Sequence, residues 1–412
     1  MKPSSKITFN TIAQLLLSGL GFLNALVFTV LMAAFGLLAA FTGGIEGGGE
    51  AYGLLSLAWI GGAFSLLLVP MLCNVVLVLL GKPRLSWRPQ QGFKLATFGL
   101  LAWPFLFLLG YLLSSQPAWE LIILPPLQIL VIGIPLWWLV ELGMRFLKVE
   151  RVSREWPVVG FSLLVTPLVV IVVELVIVLA ALVVFIVWAA SQPAVLAQIQ
   201  QLSLRLMNAP ADMEILQRIM QPYFQQPGVI LAILALAAGL VPLLEEMFKP
   251  MAVWLLISRK ITPREGFAMG MLAGAVFGLL ESLGALAAPL GDGWYILVIG
   301  RLGTCLLHTV TSALVGWGIA EAWTQRRVLR LFGAYLAAVA LHAVWNAFAL
   351  LMGIFPAMTP VQGTDNWFSA LAEAAPFVLA FLAAGMLVVF IASSRKIGGQ
   401  ELPAAAQEIG LQ

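Results

Sequence analysis

Leu240-Val241-Pro242-Leu243-Leu244-Glu245-Glu246-Met247-Phe248-Lys249 is the stretch whose reading decides the fold. Two adjacent carboxylates and a lysine sit inside an apolar run that extends from about Val229 to Ile257. Such a run exceeds the ~20 residues that a helix needs to cross a bilayer. A single charge near the centre of a spanning helix costs roughly 2.5–3.5 kcal/mol on insertion scales. Three charged residues within five positions must therefore find partners inside the protein or serve a function.

The rest of the chain has the same character. Of 412 residues, 61% are hydrophobic and 10% are charged, where soluble domains carry about 25% charged residues. Mean hydropathy is +1.01. The expected fold class is all-α, a polytopic transmembrane helical bundle, because backbone groups in lipid must be satisfied within each segment. Cys73 and Cys305 both lie in apolar runs, which argues against a disulfide framework. The net charge of +3 says less than where the cations sit, and the expected surroundings are membrane lipid, with no nucleic-acid partner.

Hydropathy gives about ten spans, near 11–42, 52–81, 93–114, 119–144, 157–190, 228–258, 265–289, 295–323, 328–353 and 370–393. The basic residues test that count independently. Lys2 and Lys6 precede the first span; Lys82, Arg84, Arg88 and Lys94 follow the second. Arg145, Lys148, Arg151 and Arg154 follow the fourth, and Arg259, Lys260 and Arg264 the sixth. Arg326, Arg327 and Arg330 follow the eighth, and Arg395 and Lys396 the tenth, so 18 of the 22 Lys and Arg residues fall on alternate loops. The positive-inside rule then puts both termini in the cytoplasm, with a bacterial cytoplasmic membrane as the default location. Four segments result: a five-span domain at 1–190, an extracytoplasmic linker at 191–227, a second five-span domain at 228–393, and a tail at 394–412. Helical spacing of Val195, Leu196, Ile199 and Leu202, and of Ile215, Leu216, Ile219, Met220 and Tyr223, predicts amphipathic helices in the linker, with Asp212 as an N-cap.

The two five-span domains differ in polarity. In the first, Glu141 stands four residues before Arg145, an ordinary helical pair, and Glu174 lies mid-span as a structural carboxyl, a partner for a cation such as Arg301, or a site element. In the second, four successive spans each carry a pair one helical turn apart: Glu245 and Lys249 with Glu246 between them, Phe277 and Glu281, His308 and Ser312, His342 and Asn346. Residues at i and i+4 share a helix face. Counted from the cytoplasmic cations at ~1.5 Å per residue, Glu245, Glu281, His308, His342 and Asn346 lie ~18–27 Å above that side, in one layer.

Two chemistries suit this set. Neutral imidazoles with a carboxylate make a zinc site, with candidate ligands His308, His342 and Glu281, and a further glutamate would take a proton from water. Without metal, a buried glutamate would activate water while histidine and asparagine steady the oxyanion. Glu245 and Glu246 point ~100° apart on a helix and so have different roles. Lys249, one turn from both, would neutralise one of them, leaving the other as base. Pro242 permits a local kink where water can enter.

These residues resemble the PrsW-like intramembrane proteases, in the wider clan that includes the type II CAAX prenyl proteases. The resemblance rests on Glu245-Glu246-x-x-Lys249, Phe277-x-x-x-Glu281, Arg301 with His308-x-x-x-Ser312, and His342-x-x-Trp345-Asn346. It implies hydrolysis of a peptide bond in a membrane protein or membrane-tethered peptide. Glu245 or Glu246 would activate water, and Glu281, His308, His342 and Asn346 would complete the site, supported by Lys249, Arg301 and Ser312. Ser282 stands beside Glu281 where the resemblance leads one to expect an amide. Two other classes also use buried Glu/His sets: a proton- or ion-coupled transporter and an inactive membrane scaffold. The first five spans contain no copy of any motif, which disfavours a transporter built from repeats.

Overall fold

A computed structural model describes residues 9–42, 48–85, 91–148, 155–210, 213–224, 226–256, 261–288, 293–358 and 367–400. Among these residues the chain is 91% helical with no strand, and ten helical stretches are long and apolar enough to cross a membrane. The all-α polytopic fold follows directly. Several helices contain internal prolines, including Pro70, Pro104, Pro125, Pro126 and Pro135, which transmembrane helices tolerate because neighbours re-satisfy the freed backbone groups.

The chain divides into two compact units. The first comprises Met1–Pro167, Lys249–Ala338 and Ala383–Gln412. It contains α1 (Phe9–Thr42), α2 (Gly48–Leu79), α3 (Gly92–Leu113), α4 (Pro117–Leu147) and α5 (Glu155–Leu164). The fifth predicted span is interrupted after α5, where Pro167 cannot donate to the carbonyl of Leu163. The span resumes as α6 (Thr166–Ala190).

At the centre of the first unit stands α12 (Pro263–Ala285), 78% of whose apolar window is buried, against 6% for α1. Its start follows from the sequence: Thr262 Oγ1 accepts from the Glu265 amide while Glu265 Oε2 accepts from the Thr262 amide at 2.7 Å. This is a capping box with proline at the first helical position. Arg264 at the same end donates to the carbonyls of Ile397 and Gln400, tying α12 to the end of α15 (Trp367–Gly398). One face of α12 packs on Tyr52 and Ile60 of α2 and on Leu124, Val131 and Leu136 of α4.

Its other face carries Gly266, Gly270, Gly274 and Gly278, four glycines one turn apart, against α13 (Trp294–Gln325). A Cβ would lie 2.2 Å from the Ser312 carbonyl oxygen at Gly270 and 2.0 Å from that of His308 at Gly274. The two backbones meet closely enough that only hydrogen fits, the small-residue packing by which membrane helices associate where lipid offers no hydrophobic drive.

The second unit comprises Leu168–Phe248 and Val339–Leu382. Most of α6 within it exposes large apolar side chains, among them Leu168, Val172, Val176, Val183 and Val187, as expected of a helix bathed in lipid. The predicted linker helices are present as α7 (Pro193–Met207) and α8 (Met213–Phe224). Asp212, the predicted cap of α8, falls outside the described residues. The sixth span is not one helix. It runs as α9 (Pro227–Leu234), a π-helical turn (Ala235–Leu240) and α10 (Val241–Phe248), and after a turn continues in the first unit as α11 (Met251–Leu256).

Candidate functional site

The break in the sixth span has a cause in the sequence. Pro242 and Pro250 bracket the helical segment that carries the carboxylates, and each removes an amide and crowds the carbonyl four residues back. The π turn just before Val241 widens the helix, a feature often found at functional positions. Within the second unit, Asn346 of α14 (Val328–Met358) donates from Nδ2 to the carbonyl of Ala237 in that turn at 2.9 Å. The amide therefore fastens the irregular backbone to α14.

One turn before Asn346, His342 is buried between the two glutamates. Its Nδ1 lies 2.8 Å from Glu246 Oε1, and its Nε2 faces Glu245 Oε2 at 3.9 Å, too far for a hydrogen bond. With Glu246 ionised, Nδ1 carries the proton, and in the neutral imidazole Nε2 is then an acceptor. The two glutamates thus flank the ring: Glu246 is fully buried beside Nδ1, while Glu245, with 11% of its side chain exposed, faces the other ring nitrogen. A basic nitrogen and a carboxylate oxygen directed at one another across 3.9 Å would repel. A proton donor or a cation between them would remove that repulsion, and the gap admits a water hydrogen-bonded ~2.8 Å from each.

The first unit holds a second polar set. Lys249 Nζ lies 2.6 Å from His308 Nδ1, and His308 Nε2 lies 2.7 Å from Glu281 Oε2. A lysine ammonium can only donate, so Nδ1 accepts and Nε2 carries the proton given to Glu281. The other oxygen of Glu281, Oε1, pairs with Arg301 Nη2 at 3.1 Å. Phe277 meets the His308 ring edge-on at 5.4 Å between centroids, and Lys249 Nζ lies 5.0 Å from the Phe277 centroid. The i, i+4 spacing of Phe277 and Glu281 thus places both against one imidazole.

Lys249, expected to neutralise a neighbouring glutamate, makes its short contact with His308. Ser312 is buried on the surface of α13 that meets the glycines of α12, and its Cβ would stand 2.8 Å from a Cβ at Gly274. Sequence reasoning missed the glycines, although their repeat at every fourth position was a readable signal. It also passed over Ser282 and Cys305 as members of the Arg301 surroundings: Arg301 Nε donates to Ser282 Oγ at 3.2 Å, and Ser282 Oγ lies 3.2 Å from Cys305 Sγ. Nothing in the sequence spacing connects Cys305 to Ser282, because they belong to different helices.

A family model described as PrsW family intramembrane metalloprotease matches residues 156–381. Comparison with curated proteins gives no match, and comparison with solved structures gives none either.

Proposed function

The chain belongs to the PrsW family of intramembrane metalloproteases, and on that premise we propose that it is an integral-membrane endopeptidase acting on a membrane protein or membrane-tethered peptide. Its catalytic residues are Glu245, Glu246, Glu281, His308, His342 and Asn346. The observation that carries this reading is the buried Glu246–His342–Glu245 arrangement, in which one carboxylate fixes the tautomer and the other faces the acceptor nitrogen. The family match spans both polar sets, so both are assigned to the reaction.

In this reading Glu245 is the general base. It takes a proton from the water that attacks the scissile carbonyl and returns it to the leaving amine. Glu246 holds His342 in the Nδ1–H form, the second-shell partnership found behind metal-ligating histidines. Glu281 is held by Arg301 on one oxygen and bonded to His308 on the other, so that the imidazole keeps one orientation. Asn346 supports the π turn from which α10 emerges.

The family label implies a metal, and the donor chemistry of the second unit suits one. An acceptor nitrogen 3.9 Å from a carboxylate oxygen is close to the ~3.4 Å between two ligands that each lie ~2.1 Å from a tetrahedral ion. His342 and Glu245 are therefore the residues that would hold zinc. His308 and Glu281, also candidates from the sequence, would have to exchange Lys249 or Arg301 for the ion. Zinc would make water acidic enough to attack at neutral pH and would polarise the scissile carbonyl.

Both termini are assigned to the cytoplasmic face of the membrane, from the distribution of lysine and arginine. The test is cleavage of a membrane-tethered candidate substrate by purified protein beside Glu245→Gln, Glu246→Gln and His308→Ala. Equal product from all four preparations would overturn the assignment. Metal analysis of the same samples separates the two chemistries, since full activity after complete demetallation would rule out a catalytic ion.

A further inference from the structure

Resting on that reading, we infer that Ser282 is a positioning residue, which orients Arg301 through its side-chain hydroxyl and thereby fixes the carboxylate of Glu281 against His308. The Arg301 side chain is 14% exposed and lies within a spanning helix. A guanidinium so buried needs its donors matched, and those partners decide where it points. Nη2 faces Glu281 and Nε donates to Ser282 Oγ.

Ser282, itself fully buried, grips the same residue twice, because its Oγ also lies 3.4 Å from the Arg301 carbonyl oxygen. The protons can be followed in one direction. Arg301 Nε–H goes to Ser282 Oγ, Ser282 O–H goes to the Arg301 carbonyl or Cys305 Sγ, and Cys305 S–H goes to the Gly278 carbonyl at 3.3 Å.

This chain is possible only where α12 and α13 are nearly in backbone contact. At Gly278 a Cβ would lie 3.0 Å from Cys305 Cα. Ser282 is one turn further along α12, and its short side chain reaches both the backbone and the guanidinium of Arg301. Adjacent Glu281 receives Arg301 on one oxygen and His308 on the other. A swing of the guanidinium would therefore be passed on to the imidazole. An amide at position 282 could not repeat this arrangement without added volume in a fully packed position.

The test uses two readouts on the full chain in detergent or nanodiscs. In protein labelled with 15N-arginine, the Arg301 Nε–H signal is identified by its disappearance in Arg301→Lys. It should be shifted and slow to exchange in the wild type, and should move to the exposed-arginine position in Ser282→Ala. An unchanged signal in Ser282→Ala would overturn the inference, whatever the protein's activity.

The second readout is cleavage. Ser282→Ala should lower kcat about 10- to 100-fold, the worth of a hydrogen bond to a charged group, with KM within twofold. Ser282→Thr, which keeps the hydroxyl, should recover most of the loss. In the Arg301→Lys background, Ser282→Ala should change kcat less than twofold, whereas an undiminished effect there would mean that Ser282 acts through general packing. An inactive wild type would count against the protease reading alone, and the arginine signal would still decide the role of Ser282.

Discussion

His308 and His342 are both buried imidazoles in spanning helices, each beside a carboxylate, yet they present opposite ring nitrogens to it. His308 accepts from Lys249 at Nδ1 and donates from Nε2 to Glu281, so both nitrogens are committed to strong, short contacts. His342 donates from Nδ1 to Glu246 and turns its acceptor Nε2 toward Glu245 across 3.9 Å. The difference follows from the partners. A lysine forces a lone pair onto the nitrogen it meets, and an ionised carboxylate forces a proton. The two imidazoles thus meet different partners, although the sequence presents both as a lone histidine four residues before a small polar residue.

The sharpest way to break that comparison is at the carboxylate assigned as base. Glu245→Gln should lower kcat/KM ~10²–10⁴-fold, the usual worth of a positioned general base, measured by cleavage of a membrane-tethered substrate. A loss below tenfold would move the base elsewhere. Glu246→Gln should act more indirectly. It keeps the size but weakens the grip on Nδ1, so competition with a chelator should show zinc affinity reduced ~10–100-fold. If zinc is held equally well by Glu246→Gln and wild type, Glu246 is not orienting a ligand.

Smaller effects test the scaffold on the His308 side. Gly274→Ala would place a methyl 2.0 Å from the His308 carbonyl, and it should destabilise the protein by about 1–3 kcal/mol through overpacking. Gly284→Ala on the same helix meets nothing within 4 Å. It therefore serves as the matched control, and thermal unfolding in detergent should separate the pair clearly. Last, Asn346→Ala removes one side-chain bond to the Ala237 carbonyl. It should cost about 0.5–1.5 kcal/mol of stability. A much larger loss of activity than of stability would show that the amide also meets the substrate.

Much of this was legible in the chain. Helical spans follow from length and hydropathy, since a backbone in lipid has few other ways to satisfy its hydrogen bonds. The pairing of Phe277 with Glu281 on one face follows from 3.6 residues per turn. The break in the sixth span was only half legible. Pro242 suggested a kink, but the π turn at Ala235–Leu240 depends on how the carbonyls left over are satisfied, and Asn346 of a distant helix does part of that. Spacing alone did not reveal the contact of Lys249 with His308, which is 59 residues further along the chain.

By itself, then, the sequence determined the helical class, the ten spans and the short roster of ionisable residues too costly to leave in lipid without purpose. Those properties depend on local composition and helical period, which each segment carries with it. Only the tertiary structure decided which partner meets each nitrogen of the two histidines, which glutamate meets Nδ1 of His342 and which faces its Nε2, and that Ser282 and Cys305 surround Arg301. Those are outcomes of distances between groups on different helices. Where α12 meets α13, the distances are set by glycines that let two backbones touch.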